Sequence, residues 1–360
     1  MQNNQAIPFN KENFLQIFSK EFALVIIISI PSAMLAEYFN IPLAWFLGPM
    51  LITSMASLTG FKTKMPRLIL SLVLIFLGLY IGNYIDQTLF SQIQQWAWTS
   101  LIMLAYIVLS VLLVSKYLQK FSNYDKKTSI FSAAPGALGP LMILAEDEKS
   151  DLSQVATSHL IRLIIIITVF PFVVNSLYNV EDTRLIAEPI INQNIYHLII
   201  LIIFSIVLIL IFDKLRIPAA LLAGTLVASG FLQITEIAAY KLSPNIINYC
   251  LLILGSSVGC RFADKSFNEI ARNALHSFVA TFMLVVLGLL AAYVAGLVID
   301  KNFFTLLLSF CPGGIYEVAV IAIFFNLDPE FVAFHHIIRL LMILFIVPII
   351  LRIIEKKSLK

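Results

Sequence analysis

Residues 309–348 read SFCPGGIYEVAVIAIFFNLDPEFVAFHHIIRLLMILFIVP, and this stretch decides the fold. It combines a helix-breaking Pro312-Gly313-Gly314, an acid at Glu317 and a His336-x-x-Arg339 pair with segments apolar enough for a lipid bilayer. Ionisable groups inside membrane segments are costly, and they usually face the protein interior with a partner. We therefore expect this stretch to contain a functional site.

A copy of the stretch lies 177 residues upstream. Pro135-Gly136 corresponds to Pro312-Gly313, and His159-x-x-Arg162 corresponds to His336-x-x-Arg339. Glycines and prolines earlier in each half also match, at an offset of 177 or 176. The offset between matching residues changes by only one over half of the chain, which indicates an internal duplication. Such duplications are typical of transporter folds. We predict a first membrane repeat at 1–177, a polar linker at 178–194 and a second repeat at 195–360.

The composition predicts an all-α, polytopic membrane protein. Of the 360 residues, 60% are hydrophobic and 12% charged, and the mean hydropathy is +0.93. About 10–12 apolar runs approach the roughly 20 residues that a transmembrane helix needs. The net charge of +3 comes mainly from loop residues and does not indicate nucleic-acid binding.

The distribution of Lys and Arg favours inverted repeats. If each half crosses the membrane six times, 16 of these residues lie inside and 6 outside; with five crossings, 19 lie inside and 3 outside. Cytoplasmic loops carry the excess of positive charge, so the second arrangement fits better, with both termini cytoplasmic. The Pro-Gly segments are then expected to turn back within the membrane. The alternative, in which each break interrupts a crossing helix, stays open.

The two breaks are the predicted substrate-binding segments. Irregular backbone at membrane depth is tolerated where protein buries it or where it lines a cavity. Pro135-Gly136 and Pro312-Gly313-Gly314 would each expose the N-terminal end of a following half-helix, which favours an anion. A proline kink filled by a neighbouring helix is the structural alternative.

Arg162 and Arg339 are predicted to bind substrate charge or to pair with Glu317. The alternative is that each arginine holds carbonyls freed by the neighbouring break. Glu317, His159 and His336 are the predicted ion-coupling residues, with Glu317 titrating or binding a cation. Glu317 could instead satisfy N–H groups at the start of its helix, and the histidines could be hydrogen-bond donors only.

These segments resemble the AbrB-type duplicated integral membrane family of Gram-negative bacteria. That family has two copies of A-P-G-G-x-x-E, each followed by a His/Gln-x-x-Arg helix; here they read APGALGP at 134–140 and CPGGIYE at 311–317. IPLAWFLGPM at 41–50 is similar to a further family segment. The first copy departs from the pattern, because it lacks the second Gly and the Glu. The resemblance implies a bacterial inner-membrane location, and the family carries the labels ammonia monooxygenase and regulator of gene expression. It is also loosely similar to inverted-repeat secondary transporters.

The residues weigh against the monooxygenase label. The five histidines are scattered along the chain apart from one adjacent pair, and no Glu-x-x-His occurs, so we predict no metal site, no cofactor and no enzymatic activity. No polar segment is long enough for a DNA-binding module, and we expect no nucleic-acid partner. The expected partners are a small-molecule solute and the lipid bilayer, and homo-oligomerisation stays open. Two hypotheses remain: a secondary transporter of a small anionic or zwitterionic solute, and a membrane sensor that affects gene expression indirectly.

Overall fold

The computed structural model describes residues 11–85, 87, 89–136, 138–177, 195–238, 245–263 and 265–358. These residues form α-helices and one short 3-10 helix but no strand, which confirms the all-α prediction. The predicted linker at 178–194 lies outside the described residues. In chain order, α1 to α15 are Lys11–Leu15, Lys20–Tyr38, Ala44–Leu58, Arg67–Gly82, Leu89–Phe121, Lys126–Ala133, Leu138–Asp147, Leu152–Leu177, Ile195–Lys214, Ala220–Ile234, Asn245–Cys260, Phe267–Gly296, Phe303–Phe310, Ile315–Phe324 and Pro329–Ser358.

Six of the described helices are long and apolar enough to cross a bilayer: α2, α5, α8, α9, α12 and α15. Their most apolar 18-residue windows have mean hydropathies from 1.6 in α2 to 3.1 in α9. The side chains of α9 are also largely exposed; Ile203 and Leu210 have exposed fractions of 58% and 55%. A continuous exposed apolar surface of this kind requires lipid around it. The protein is therefore a multi-pass membrane protein.

The backbone repeats as the sequence does. The helices α6 and α13 have eight residues each, and α7 and α14 have ten each, at the 177-residue offset. The helices α3 and α10 have fifteen residues each, and both follow a residue in the left-handed conformation, Leu43 and Ala219. The duplication therefore extends to helix ends and to unusual backbone angles.

Two compact units divide the chain, and each takes helices from both repeats. The first unit contains α2 to α4 and α9 to α11. The second unit contains α5 to α8 and most of α12 to α15. Neither of the predicted repeats, at 1–177 and 195–360, coincides with a compact unit.

Helix packing in the first unit depends on glycine. A Cβ atom added to Gly78 of α4 would collide with Thr225 and with the Leu222 carbonyl oxygen of α10. The copy of Gly78, Gly255 of α11, approaches the Phe46 carbonyl oxygen of α3 equally closely. Small residues allow helix backbones to approach in membranes, where packing rather than the hydrophobic effect holds helices together. The same close crossing therefore occurs twice.

The second unit shows that the repeats are inverted. The Tyr106 hydroxyl of α5 lies 3.4 Å from the Leu284 carbonyl oxygen of α12, and the Tyr117 hydroxyl lies 3.2 Å from Nδ1 of His276. As the residue number rises along α5, the number of the contacted residue on α12 falls, so the two helices are antiparallel. The helix α12 is the copy of α5, so the two copies run in opposite directions.

Candidate functional site

The first break lies between α6 and α7. The helix α6 ends at Ala133, and Pro135 follows, which has no N–H to continue the helical ladder. Gly136 then takes φ +105°, a conformation that side-chain-bearing residues rarely adopt. The chain can therefore change direction sharply before α7 begins at Leu138.

This change of direction produces a hairpin. Nζ of Lys127, in the first turn of α6, lies 2.7 Å from Oε2 of Glu148, just beyond α7. The Asp151 N–H donates to the Thr128 hydroxyl at 3.0 Å. The start of α6 and the end of α7 are therefore neighbours, and eight residues of α6 extend only about 12 Å. The two half-helices therefore form a short hairpin, which is the geometry expected of a re-entrant segment.

The second break, at 311–314, forms a corresponding hairpin from α13 and α14. Nζ of Lys301, before α13, lies 5.7 Å from the ring centroid of Phe331, at the start of α15. The Trp96 ring, early in α5, lies 5.3 Å from the same Phe331 ring. The open end of the first hairpin, where α6 begins and α7 ends, instead lies beside the start of α12. There the hydroxyl of Thr157, in the helix α8 that follows the hairpin, donates to Oε1 of Glu269 in α12 at 3.2 Å. Because α5 and α12 are antiparallel, the two hairpins enter from opposite ends of the unit.

A His-x-x-Arg pair holds the broken end of α6. Arg162 donates from Nη1 to the Ala134 carbonyl oxygen at 2.6 Å and from Nη2 to that of Ser132. His159 donates from Nε2 to the Phe131 carbonyl oxygen at 3.0 Å. Carbonyls at a helix C-terminus have no partner within the helix, so these side chains satisfy three of them.

The second pair makes corresponding histidine contacts one repeat later, but its arginine holds the carbonyls of 311 and 313, whereas Arg162 holds those of 132 and 134. Arg339 donates from Nη1 to the Cys311 carbonyl oxygen and from Nη2 to that of Gly313 at 2.6 Å. His336 donates from Nε2 to the Leu308 carbonyl oxygen at 3.0 Å, which leaves its Nδ1 to accept from Arg339 at 3.0 Å. The predicted alternative, a clamp on carbonyls freed by the break, thus describes the contacts of both arginines.

In both arginines the Nε–H group takes no part in the contacts with the carbonyls. Arg162 and Arg339 are 2% and 0% exposed, and Nε of each is buried without a hydrogen-bond partner among the described residues. The only ion pair between described residues for which a distance is resolved joins Lys127 and Glu148. Two buried positive charges therefore remain at the centre of the unit without a paired carboxylate from the described residues.

The tips of the two hairpins meet at Arg339. A Cβ atom added to Gly136 would lie 2.9 Å from Nη2 of Arg339 and 3.3 Å from its Nε. Arg339 thus touches the tip of the first hairpin while it clamps the second. The structure brings all seven predicted substrate-binding residues to this region: Pro135, Gly136, Arg162, Pro312, Gly313, Gly314 and Arg339.

Glu317 lies on the first turn of α14 and is 1% exposed. Its carboxylate folds back over Gly314, so closely that a Cβ atom on Gly314 would collide with Oε2. A carboxylate in this place interacts favourably with the N–H groups and dipole of a helix N-terminus. The corresponding turn of α7 has Pro140 instead of an acid and an exposed Gly139, to which a Cβ could be added with nothing within 4 Å.

Two features near the site were not predicted from the sequence. One is the open turn at Gly139. The other is an apolar groove of about 360 Å³ between α8 and α12, which reaches Cys311 and Pro312. No sequence pattern marks either feature, because both depend on the hairpin fold. The groove is suited to hydrocarbon rather than to charge, since its surface is entirely apolar.

The family model described as "Transition state regulatory protein AbrB" matches residues 2–90 and 45–355 of this chain. The chain belongs to the AbrB family. Residues 45–90 occur in both matches, as expected when a chain contains a repeat. The family assignment made from the doubled motif is therefore confirmed.

The AbrB-family chain is similar to proteins of two well-separated bacteria. It is 23% identical over 313 residues to "Uncharacterized protein YhjN" of Bacillus subtilis (strain 168), covering 81% of each chain. It is also 23% identical over 321 residues to "Putative regulator AbrB" of Escherichia coli (strain K12), covering 88% of this chain and 91% of that one. No solved structure matches the chain. The relative from Bacillus extends the similarity beyond Gram-negative bacteria.

Proposed function

We propose that this protein is a secondary transporter of a small anionic or zwitterionic solute, acting in a bacterial inner membrane with both termini cytoplasmic. One observation carries the proposal: two buried guanidiniums without a paired carboxylate lie where two re-entrant hairpins meet. A buried charge without a counter-charge is costly, and a bound anion would offset that cost. We assign no enzymatic reaction and no nucleic-acid partner to the chain.

The surrounding helices also favour an anion. Each hairpin returns from its tip with the N-terminal end of a half-helix, where N–H groups and the dipole attract negative charge. The opposite, carbonyl ends of α6 and α13 are held by the two arginines. The two arginines thus offset the negative carbonyl ends of α6 and α13, and the N-terminal ends of the returning half-helices add positive potential. Inverted repeats around a central site are the usual basis of alternating access in secondary transporters.

Glu317 is the proposed coupling group. It is the buried acid closest to the break, and protonation or cation binding there would change the charge beside the solute. His159 and His336 donate to carbonyls through Nε2, so a coupling role for them requires those hydrogen bonds to change. We propose that the histidines chiefly orient the clamps.

Transport is tested with purified protein in liposomes that contain a pH-sensitive dye. Organic acids, amino acids and ammonium are screened for solute-dependent proton movement. Arg339→Gln and Glu317→Gln are assayed beside the wild type, after size-exclusion chromatography has confirmed folding. We expect movement with a carboxylate or amino acid and its loss in both variants. Movement that persists unchanged in both variants contradicts the proposed site.

The name of the Escherichia coli relative supports a second candidate, a membrane sensor. A sensor would bind the same solute and affect gene expression indirectly. Binding by correctly folded protein, without movement of any bound solute in the liposome assay, would favour the sensor over the transporter.

A further inference from the structure

The two hairpin tips are copies, yet their returning half-helices begin differently. At the start of α14, the Glu317 carboxylate occupies the space over Gly314. At the start of α7, the equivalent position is Pro140, which has neither a carboxylate nor an N–H. One helix N-terminus therefore has a tethered anion and the other does not.

The start of α7 is also open. Gly139 is exposed and Leu138 is half-buried, whereas the corresponding Tyr316 and Ile315 are half-buried and 6% exposed. A Cβ atom on Gly139 would meet nothing within 4 Å. The N–H groups in the first turn of a helix have no partner within the helix. A ligand can therefore reach donors at the start of α7 that the fold of α14 does not offer.

Arg339 supplies an independent sign of a ligand beside Gly136, at the tip of the same hairpin. Its Nε carries a proton, is fully buried and has no hydrogen-bond partner among the described residues. This Nε lies 3.3 Å from the position that a Cβ on Gly136 would take, two residues before α7. An unpaired buried donor costs roughly 1–3 kcal/mol, so an acceptor there would be stabilising.

We propose that the start of α7 and Nε of Arg339 form a subsite for the carboxylate of the solute. Glu317 holds the symmetry-related place in the second hairpin, as a carboxylate built into the chain. Because a carboxylate fits one copy of the tip, the ligand that fits the other copy is a carboxylate too. This inference rests on the proposed function and specifies its substrate class as monocarboxylates, including amino acids.

Restoring the symmetry tests the subsite. Pro140→Glu places a tethered carboxylate at the start of α7, and Pro140→Gln is its uncharged match. We expect the Glu variant to unfold at a higher temperature than the Gln variant when no ligand is present. We also expect it to bind sodium acetate, lactate or benzoate at least tenfold more weakly than the Gln variant, with sodium chloride as the ionic-strength control. Both measurements use purified full-length protein in detergent.

The outcomes separate this inference from the proposed function. Equal binding by the two variants, no gain in unfolding temperature, or no response of the wild type to any of the three carboxylates overturns the subsite. If the variants differ in binding as expected but the wild type moves no solute in liposomes, the subsite stands and the transporter proposal fails. If solute moves equally in both variants, the transporter stands and the subsite is overturned.

Discussion

Arg162 and Arg339 each hold two carbonyl oxygens with one guanidinium, and this geometry determines what a conservative substitution does. A lysine ammonium is a point charge and cannot reproduce the two-pronged contact. We expect Arg162→Lys and Arg339→Lys each to lower the free energy of unfolding by about 1–3 kcal/mol, because a buried carbonyl loses its donor. Thermal unfolding in detergent measures this, with Arg352→Lys, at an exposed position of α15, as the matched control. Equal stability of all three variants would argue against the clamps.

Gly136 and Gly139 are three residues apart but should respond oppositely to alanine. Gly136 combines φ +105° with close contact to Arg339, so Gly136→Ala introduces backbone strain and a collision. We expect it to cost about 1–3 kcal/mol. Gly139→Ala adds a methyl group to open space in a helix and should be neutral or stabilising by up to about 1 kcal/mol. The same unfolding assay compares them, and a larger loss at Gly139 would contradict the described tip.

The sequence shows where the breaks and the His-x-x-Arg pairs lie but not what the arginines and histidines contact. Both breaks and both His-x-x-Arg pairs are evident from the repeat alone. Their contacts are not, because Arg162 reaches carbonyls 28 and 30 residues away that become neighbours only when the hairpin forms. The openness of Gly139 depends on the same folding, so no local pattern identifies it.

At the scale of elements, the re-entrant hairpins make a prediction about sidedness. With the three native cysteines replaced by alanine, Lys126→Cys and Lys149→Cys should react with an impermeant maleimide from the same side of the membrane. Asn302→Cys, at the mouth of the second hairpin, should react from the other side. If α6 and α7 instead formed one crossing helix, Lys126 and Lys149 would be labelled from opposite sides. Oriented membrane vesicles distinguish the two patterns.

The glycine crossings of the first unit make a second prediction for elements. In Gly78→Ala the new methyl group collides with Thr225 and with the backbone of α10, so the helices must separate. We expect a loss of about 1–3 kcal/mol. Gly296→Ala, at the end of α12, is the control, because its nearest new neighbour lies at an ordinary 3.5 Å. Unfolding temperatures that do not differ between the two variants would contradict the close crossing.

At the scale of the whole molecule, the duplication and the inversion were predictable, but the division into compact units was not. Charge counting alone favoured inversion, and the antiparallel packing of α5 on α12 agrees with it. The packing of helices from one repeat against helices of the other cannot be inferred from the sequence. Two matching sequence copies would look the same whether each helix packs within its own repeat or against the other repeat. In the structure α4 packs on α10 and α11 on α3, in addition to the packing of α2 on α3 and of α9 on α10 within each half.

Neither half should therefore be stable alone. We expect residues 1–177 or 195–360, produced separately, to be degraded or aggregated, and the two produced together to recover a monodisperse complex. Fluorescence-detected size-exclusion chromatography measures both cases. A stable, monodisperse half-chain would contradict the interleaved units.

The same interleaving constrains synthesis. When the ribosome has completed α8, α3 and α4 have entered the membrane, but α10 and α11, the surfaces that match them, do not yet exist. Gly78 and its neighbours then remain without their partners until the first three helices of the second repeat, α9 to α11, have been translated. During that interval the nascent protein is exposed to membrane proteases, so the yield of folded protein should depend on elongation speed between α8 and α11. Rare codons in that interval would lower the yield, whereas the same codons after α15 begins would have little effect.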